Sequence, residues 1–131
     1  MDSAEPTTHE PRVRLDPDGV ICIDFSGCSR ISLELAQLAN RRHRELVTQQ
    51  PVPVLMLGGR VGRVDYAAQR YASAPAVCEV VSAMALVTSS FLQRHLARMF
   101  LMYHRPPYPV QVFADEHSAR AWLARQKETV A

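Results

Sequence analysis

The segment Gly58-Gly59-Arg60-Val61-Gly62-Arg63-Val64-Asp65 holds the densest set of potentially chemical residues in this chain. It follows the apolar run Val52 to Leu57 and precedes Tyr66-Ala67-Ala68, so it reads as the loop between a buried strand and a helix. Glycines at such a junction can cradle a phosphate on free backbone N–H groups, and arginines add charge. The spacing does not complete that chemistry: no Gly-Lys-Ser/Thr follows, and Gly-x-Gly-x-x-Gly is absent. Turn formation is enough to explain the glycines. Arg60 and Arg63, beside a helix N-terminus, could still hold an anion, and Asp65 takes the N-cap position.

Other reactive residue types lack partners. Ser89 and Ser90 sit at a strand-to-helix turn without the Gly-x-Ser-x-Gly of a nucleophile elbow, and helix capping accounts for them. His9, His43, His95, His104 and His117 show no metal-ligand spacing. His43 and His95 read as satisfied core-edge residues. Acids occur singly, so paired carboxylates for hydrolysis are not indicated. Cys22, Cys28 and Cys78 form no Cys-x-x-Cys pair, and Cys22 alternates with Ile21 and Ile23 as a small core residue. No metal and no cofactor is expected.

The 131 residues make one domain with a core of its own. A hydrophobic content of 47% and a charged content of 21% are those of an ordinary globular protein. The net charge of +2 makes no case for nucleic acid, and Tyr66, Arg70 and Tyr71 are a poor version of a basic, aromatic-interleaved stripe. The apolar run Met99 to Tyr103 is too short to span a membrane, and the start lacks a secretory pattern. The expectation is a cytoplasmic protein with reduced thiols.

The elements that position these residues follow from periodicity and punctuation. Residues 1–11, with prolines and acids, read as a disordered acidic tail. Strands are expected near 13–16 and 20–25, joined by the turn Asp16-Pro17-Asp18-Gly19. Ser32 caps a helix through about Thr48, with Leu35, Ala36, Ala39, Leu46 and Val47 on one face and Arg41, Arg42 and Arg44 flanking it. That arginine run reads as a solvated face, a phosphate-binding surface being the alternative. Strand 52–57 comes next, then a helix from Tyr66 to about Ser73 ended by Pro75. Residues 74–82 stay open between helix and loop, ahead of a strand at 83–88. Ser89 or Ser90 starts a helix to about His104, with Leu92, His95, Leu96, Met99, Phe100 and Tyr103 inward and Arg94, Arg98 and Leu101 outward. Strand 110–113 and an Asp115-capped helix burying Ala119, Trp122 and Leu123 close a domain over 12–126, before a tail at 127–131. The result is an α/β fold: a five-stranded mixed sheet with an N-terminal hairpin and four helices.

Val81 to Ser90, Pro106-Pro107-Tyr108-Pro109-Val110-Gln111-Val112-Phe113-Ala114-Asp115-Glu116 and Ala121-Trp122-Leu123 carry a family resemblance. With this element order, the chain resembles STAS-like domains, named for sulphate transporters and anti-sigma-factor antagonists, and the related Sec14-like lipid-carrier fold. It looks like a branch of small bacterial proteins of that kind. In the antagonists the corresponding loop carries Asp-Ser-Ser-Gly, whose second serine is phosphorylated to switch partner binding. The matching positions here are Asp65, Tyr66, Ala67 and Ala68, so the acid is kept and the phosphorylatable serine is missing.

The resemblance implies a non-enzymatic regulatory or scaffolding module. It would bind a protein partner, or a second copy of itself as a homodimer, through Arg60, Arg63, Asp65, Tyr66 and Arg70. Arg94, Arg98 and Leu101 form a secondary surface. The alternative is a small-molecule or lipid-binding Sec14-like domain. That needs an apolar cavity, for which 131 residues leave little spare volume; a pocket lined by Phe91, Met99 and Phe100 would favour it.

Overall fold

The computed structural model describes residues 10–59 and 61–130, the last three by backbone alone. Most of the expected tail and Arg60 therefore lie outside the described residues. Glu10 and Pro11 are held against the body, since Arg42 donates to Glu10 Oε1 at 2.6 Å and to the Pro11 carbonyl at 2.9 Å.

Strand β1 (Arg12–Leu15) turns into β2 (Ile21–Asp24). Gly19 adopts φ +86° in that turn, and its N–H donates to Asp16 O. Next come β3 (Arg30–Ile31), α1 (Leu33–Leu46), β4 (Val52–Leu57), β5 (Arg63–Val64), α2 (Tyr66–Tyr71) and α3 (Pro75–Cys78). The chain closes with β6 (Val81–Val87), α4 (Phe91–Tyr103), β7 (Val110–Phe113) and α5 (Glu116–Val130). The main sheet has the order β1-β2-β4-β6-β7, with β1 antiparallel to β2 and the other neighbours parallel.

The five-stranded mixed sheet is the expected one, but five helices stand where four were expected, because residues 75–78 form a short helix of their own. Two further strands, β3 and β5, pair in parallel as a separate ribbon. The last helix also runs on to Val130, through residues expected to be tail.

Strand order explains the layering. From β2 to β7 the sheet grows in one direction, and crossovers of one hand then fall on one face. That face packs Ile21, Ile23, Val54 and Met84 with Leu35 and Ala39 of α1 and Ala68 of α2. The opposite face is left to α5, whose Ala119, Trp122 and Leu123 meet Cys22, Leu55, Ala83 and Ala85. Cys22 is fully buried in that core, and the burial pushes its thiol up to about 11, away from thiolate reactivity.

Helix α4 departs from expectation. None of its residues is fully buried, and Leu92, Leu96, Met99 and Tyr103, expected inward, are exposed. Arg94, expected outward, turns toward the sheet, while Arg98 stays exposed and only its tip reaches the sheet edge. Arg94 donates to the Thr88 carbonyl at 2.9 Å, and Arg98 reaches the Val112 carbonyl at 3.5 Å. The reason lies in the edge strand. Carbonyls of Pro109 and Phe113 accept from β6 and its extension, so by alternation that of Val112 faces the open edge and needs a donor.

Candidate functional site

The loop after β4 is shaped by a close approach. Gly59 has φ +49°, and a Cβ there would come within 2.7 Å of Ser26 Cα. Gly62 N–H donates to Ser29 O, and Asp65 N–H donates to Ile31 O, which lays β5 along β3. This brings Asp65 to Arg30. The guanidinium donates Nε to Oδ1 at 2.9 Å and Nη2 to Oδ2 at 2.5 Å, and Arg63 adds an ion pair at 3.3 Å. Asp65 occupies the N-cap position of α2 yet makes no side-chain cap bond. Charge-assisted bidentate pairing outcompetes a neutral backbone N–H for the same oxygens. The hydrogen bonds from Arg30 hold the Asp65 carboxyl below the usual carboxylate range.

Tyr66 is 56% exposed and lies under the Arg70 guanidinium at 5.9 Å. Its ring meets Phe100 edge-on at 6.3 Å and His104 at 5.9 Å, and those two stack at 4.7 Å. Among the sequence candidates, Arg63, Asp65, Tyr66 and Arg70 therefore share one surface. Arg30, Phe100 and His104 join them without any local sequence signal. The secondary surface of Arg94, Arg98 and Leu101 is not formed as expected, because both arginines are tied to backbone carbonyls and Leu101 faces inward.

That inward side is a cavity of about 390 Å³ between α4 and the crossover face of the sheet. Ile23, Met56, Met84 and Leu86 form its floor, and Leu96 and Phe100 part of its roof. Helices α2 and α3 are only 6 and 4 residues long, too short to cover the middle of this face. The arginine anchors hold α4 over the edge, so the gap stays open. Phe100 lines it as expected, whereas Phe91 is 75% exposed and Met99 also lies outside. The scarcity of spare volume expected from chain length is thus overturned.

Polar groups gather toward its two ends. Arg63, Gly62 and Gln93 lie near the loop, with Gln93 Nε2 donating to Gly62 O at 3.0 Å. At the other end stand Asn40, His43, Tyr71 and Tyr108. Asn40 Nδ2 donates to Ala76 O at 3.1 Å, and Tyr108 Oη donates to Ala72 O at 2.6 Å. His43 is buried as expected, but its Nε2 has no hydrogen-bond partner. His95 is exposed. Among the described residues no group of three or more His, Cys, Asp or Glu could hold a metal. No described helix is long and apolar enough to cross a membrane.

Comparisons agree with this geometry at the level of fold. An uncharacterized protein of the DUF3478 family from Shewanella loihica PV-4, with a SpoIIAA-like fold, superposes with a TM-score of 0.62. The alignment covers 86% of this chain and 91% of that one at 13% identity, which speaks for the fold alone. A protein of unknown function from Arthrobacter sp. FB24 is 27% identical over 86% of this chain and 98% of that chain, with a TM-score of 0.35. No curated protein matches the chain. Residues 13–127 match the domain of unknown function DUF7793, and the chain belongs to that family.

Proposed function

We propose that this DUF7793 chain is a non-enzymatic binding domain that takes a small apolar molecule into the cavity beneath α4. The cavity is the observation that carries this reading. Its volume of about 390 Å³ falls within the range of small-molecule sites, and its walls are mostly apolar with a few polar groups at the ends. Unfilled apolar volume destabilises a fold, so a ligand that fills it would stabilise this one. The side chains that raise the question of catalysis are committed to structure: Ser90 accepts from Gln93 N–H as the cap of α4, and Cys22 is core.

An uncharged, environment-sensitive fluorophore tests the reading. It should bind saturably and raise the melting temperature. Ala97→Phe, which places a ring in the cavity, should abolish binding in a folded protein. Failure of the natural protein to bind any such probe would end the proposal.

A second reading is a regulatory protein-interaction module docking through Arg63, Asp65, Tyr66 and Arg70. What favours it is the pre-organised surface itself. The Arg30–Asp65–Arg63 clasp fixes the loop, and an exposed tyrosine stacks with an arginine, residue types enriched at interface hot spots. With Ala67 at the position of the antagonist serine, such docking proceeds without phosphoryl transfer there.

A further inference from the structure

Helix α4 is apolar on two sides, and only one of them has cover. Its inward side, with Ala97, Phe100 and Leu101, roofs the cavity. Its outer side carries Phe91, Leu92, Leu96, Met99, Met102 and Tyr103, each between 44% and 76% exposed. These are six of the nine large apolar side chains exposed among the described residues, so the exposure is concentrated on one element. At about 3.6 residues per turn they fall within an arc of about 140°, interrupted only by His95. A singly exposed leucine needs no explanation, but a contiguous apolar strip along a 13-residue helix marks a contact surface.

Charge decides what covers it. From Val80 to Ala114 the chain has no acid, whereas Arg94, His95, Arg98, His104 and Arg105 all lie there. Arg98 borders the apolar strip at helical spacing and stays exposed. Arg94 and Arg98 bond neutral backbone carbonyls, so their charge is kept. Among the described residues no carboxylate pairs with Arg94, Arg98 or Arg105. The acid of the neighbouring loop, Asp65, is already held by Arg30 and Arg63. A second copy docked on this face would set cation against cation with no acid to answer, which disfavours self-association. An anionic bilayer answers the charge and asks for no matching shape. An apolar strip enters the acyl boundary while basic side chains beside it meet the headgroups. Flexible methionines and a tyrosine with a polar tip suit that boundary. We propose that the outer face of α4 lies on an anionic lipid surface, with Phe91, Met99 and Met102 in the acyl boundary and Arg98 among the headgroups. Phe91 and Met102 do not line the cavity, so this contact is independent of the apolar-ligand reading.

The test is flotation of the full chain with vesicles of phosphatidylcholine alone and of phosphatidylcholine with an equal share of phosphatidylglycerol. The mixed vesicles should bind at least about tenfold more tightly, and added salt should narrow the difference. Phe91→Ser with Met102→Ser should weaken binding to the mixed vesicles by about tenfold or more. Both residues are exposed, so circular dichroism and melting temperature should match the natural protein. Fluorophore binding in the cavity should be unchanged by the pair, so the two readings fail separately. Arg98→Gln should cost about fivefold on the mixed vesicles and nothing on phosphatidylcholine. Absence of binding to either vesicle would overturn the proposal and leave the face to a protein partner. Equal binding to both compositions would overturn it too, as would full binding by the double variant. A chain that sediments as a dimer, and as a monomer with Phe91→Ser and Met102→Ser, would make this face a self-interface instead.

Discussion

Arg30 grips both carboxylate oxygens of Asp65 across 35 residues of chain, at 2.9 Å and 2.5 Å. The pair closes the β3–β5 ribbon and sets Tyr66 at the start of α2, where its ring meets the C-terminal turn of α4. The loop surface and the roof of the cavity are therefore joined through one tyrosine.

The loop surface can be tested directly. Arg63→Glu with Tyr66→Ala changes two exposed residues and should leave the fold intact. If the surface docks a protein, capture of partners from the native cell should weaken by about tenfold or more. Unchanged yields of the same partners would place the docking surface elsewhere.

Trp122 is buried between α5 and the sheet, and its ring meets Phe113 at 5.8 Å. Helix α5 covers its sheet face through Ala119, Trp122 and Leu123. Trp122→Ala should cost about 3–5 kcal/mol in denaturant unfolding. A midpoint equal to that of the natural protein would show that the helix is held by other means.

At Gly59, two constraints coincide: a positive φ and backbone contact with Ser26. Gly59→Ala must move the loop off Ser26, and a stability loss of roughly 1–3 kcal/mol is expected. A loss that small would leave the protein folded at room temperature, so the loop displacement should be visible in Arg63 and Asp65 amide shifts. Unaltered shifts and unaltered stability would contradict the close approach.

Burial holds the His43 pKa below its ordinary value of 6.5. The unfolded chain then takes up this proton first as pH falls, so the contribution of neutral His43 is complete above about pH 6.5 and is lost progressively below it. Unfolding free energies at pH 8 and pH 5 should differ more for the natural protein than for His43→Phe. Groups common to both proteins cancel in the comparison. Equal pH dependence would mean that His43 protonates freely in the fold.

Much of the fold was legible along the chain because its signals are local. Val52–Leu57 and Val110–Phe113 are apolar runs bounded by prolines or glycines and formed as read. Ser32, Ser90 and Asp115 accept from N–H groups three residues on, and a cap needs nothing beyond its own first turn. The inward set Ala119, Trp122 and Leu123 follows helical spacing alone. Loop residues Arg63, Asp65, Tyr66 and Arg70 are close in sequence, so their sharing of one surface was legible too.

The sequence by itself determined the order of the five main-sheet strands and of the four longer helices among them, and the α/β class, but not β3, β5 or α3. Only the tertiary structure decided which side of α4 faces inward, where Asp65 finds its partner and that a cavity exists. The Thr88 carbonyl draws Arg94 toward the sheet against the helix's own periodicity. Two residues of β3 meet two of β5 only after the sheet has brought them together. The cavity arises because two short helices cannot cover the face that three crossovers must share. Each of these depends on groups far apart in the chain, and hydrophobic periodicity and capping report only on neighbours.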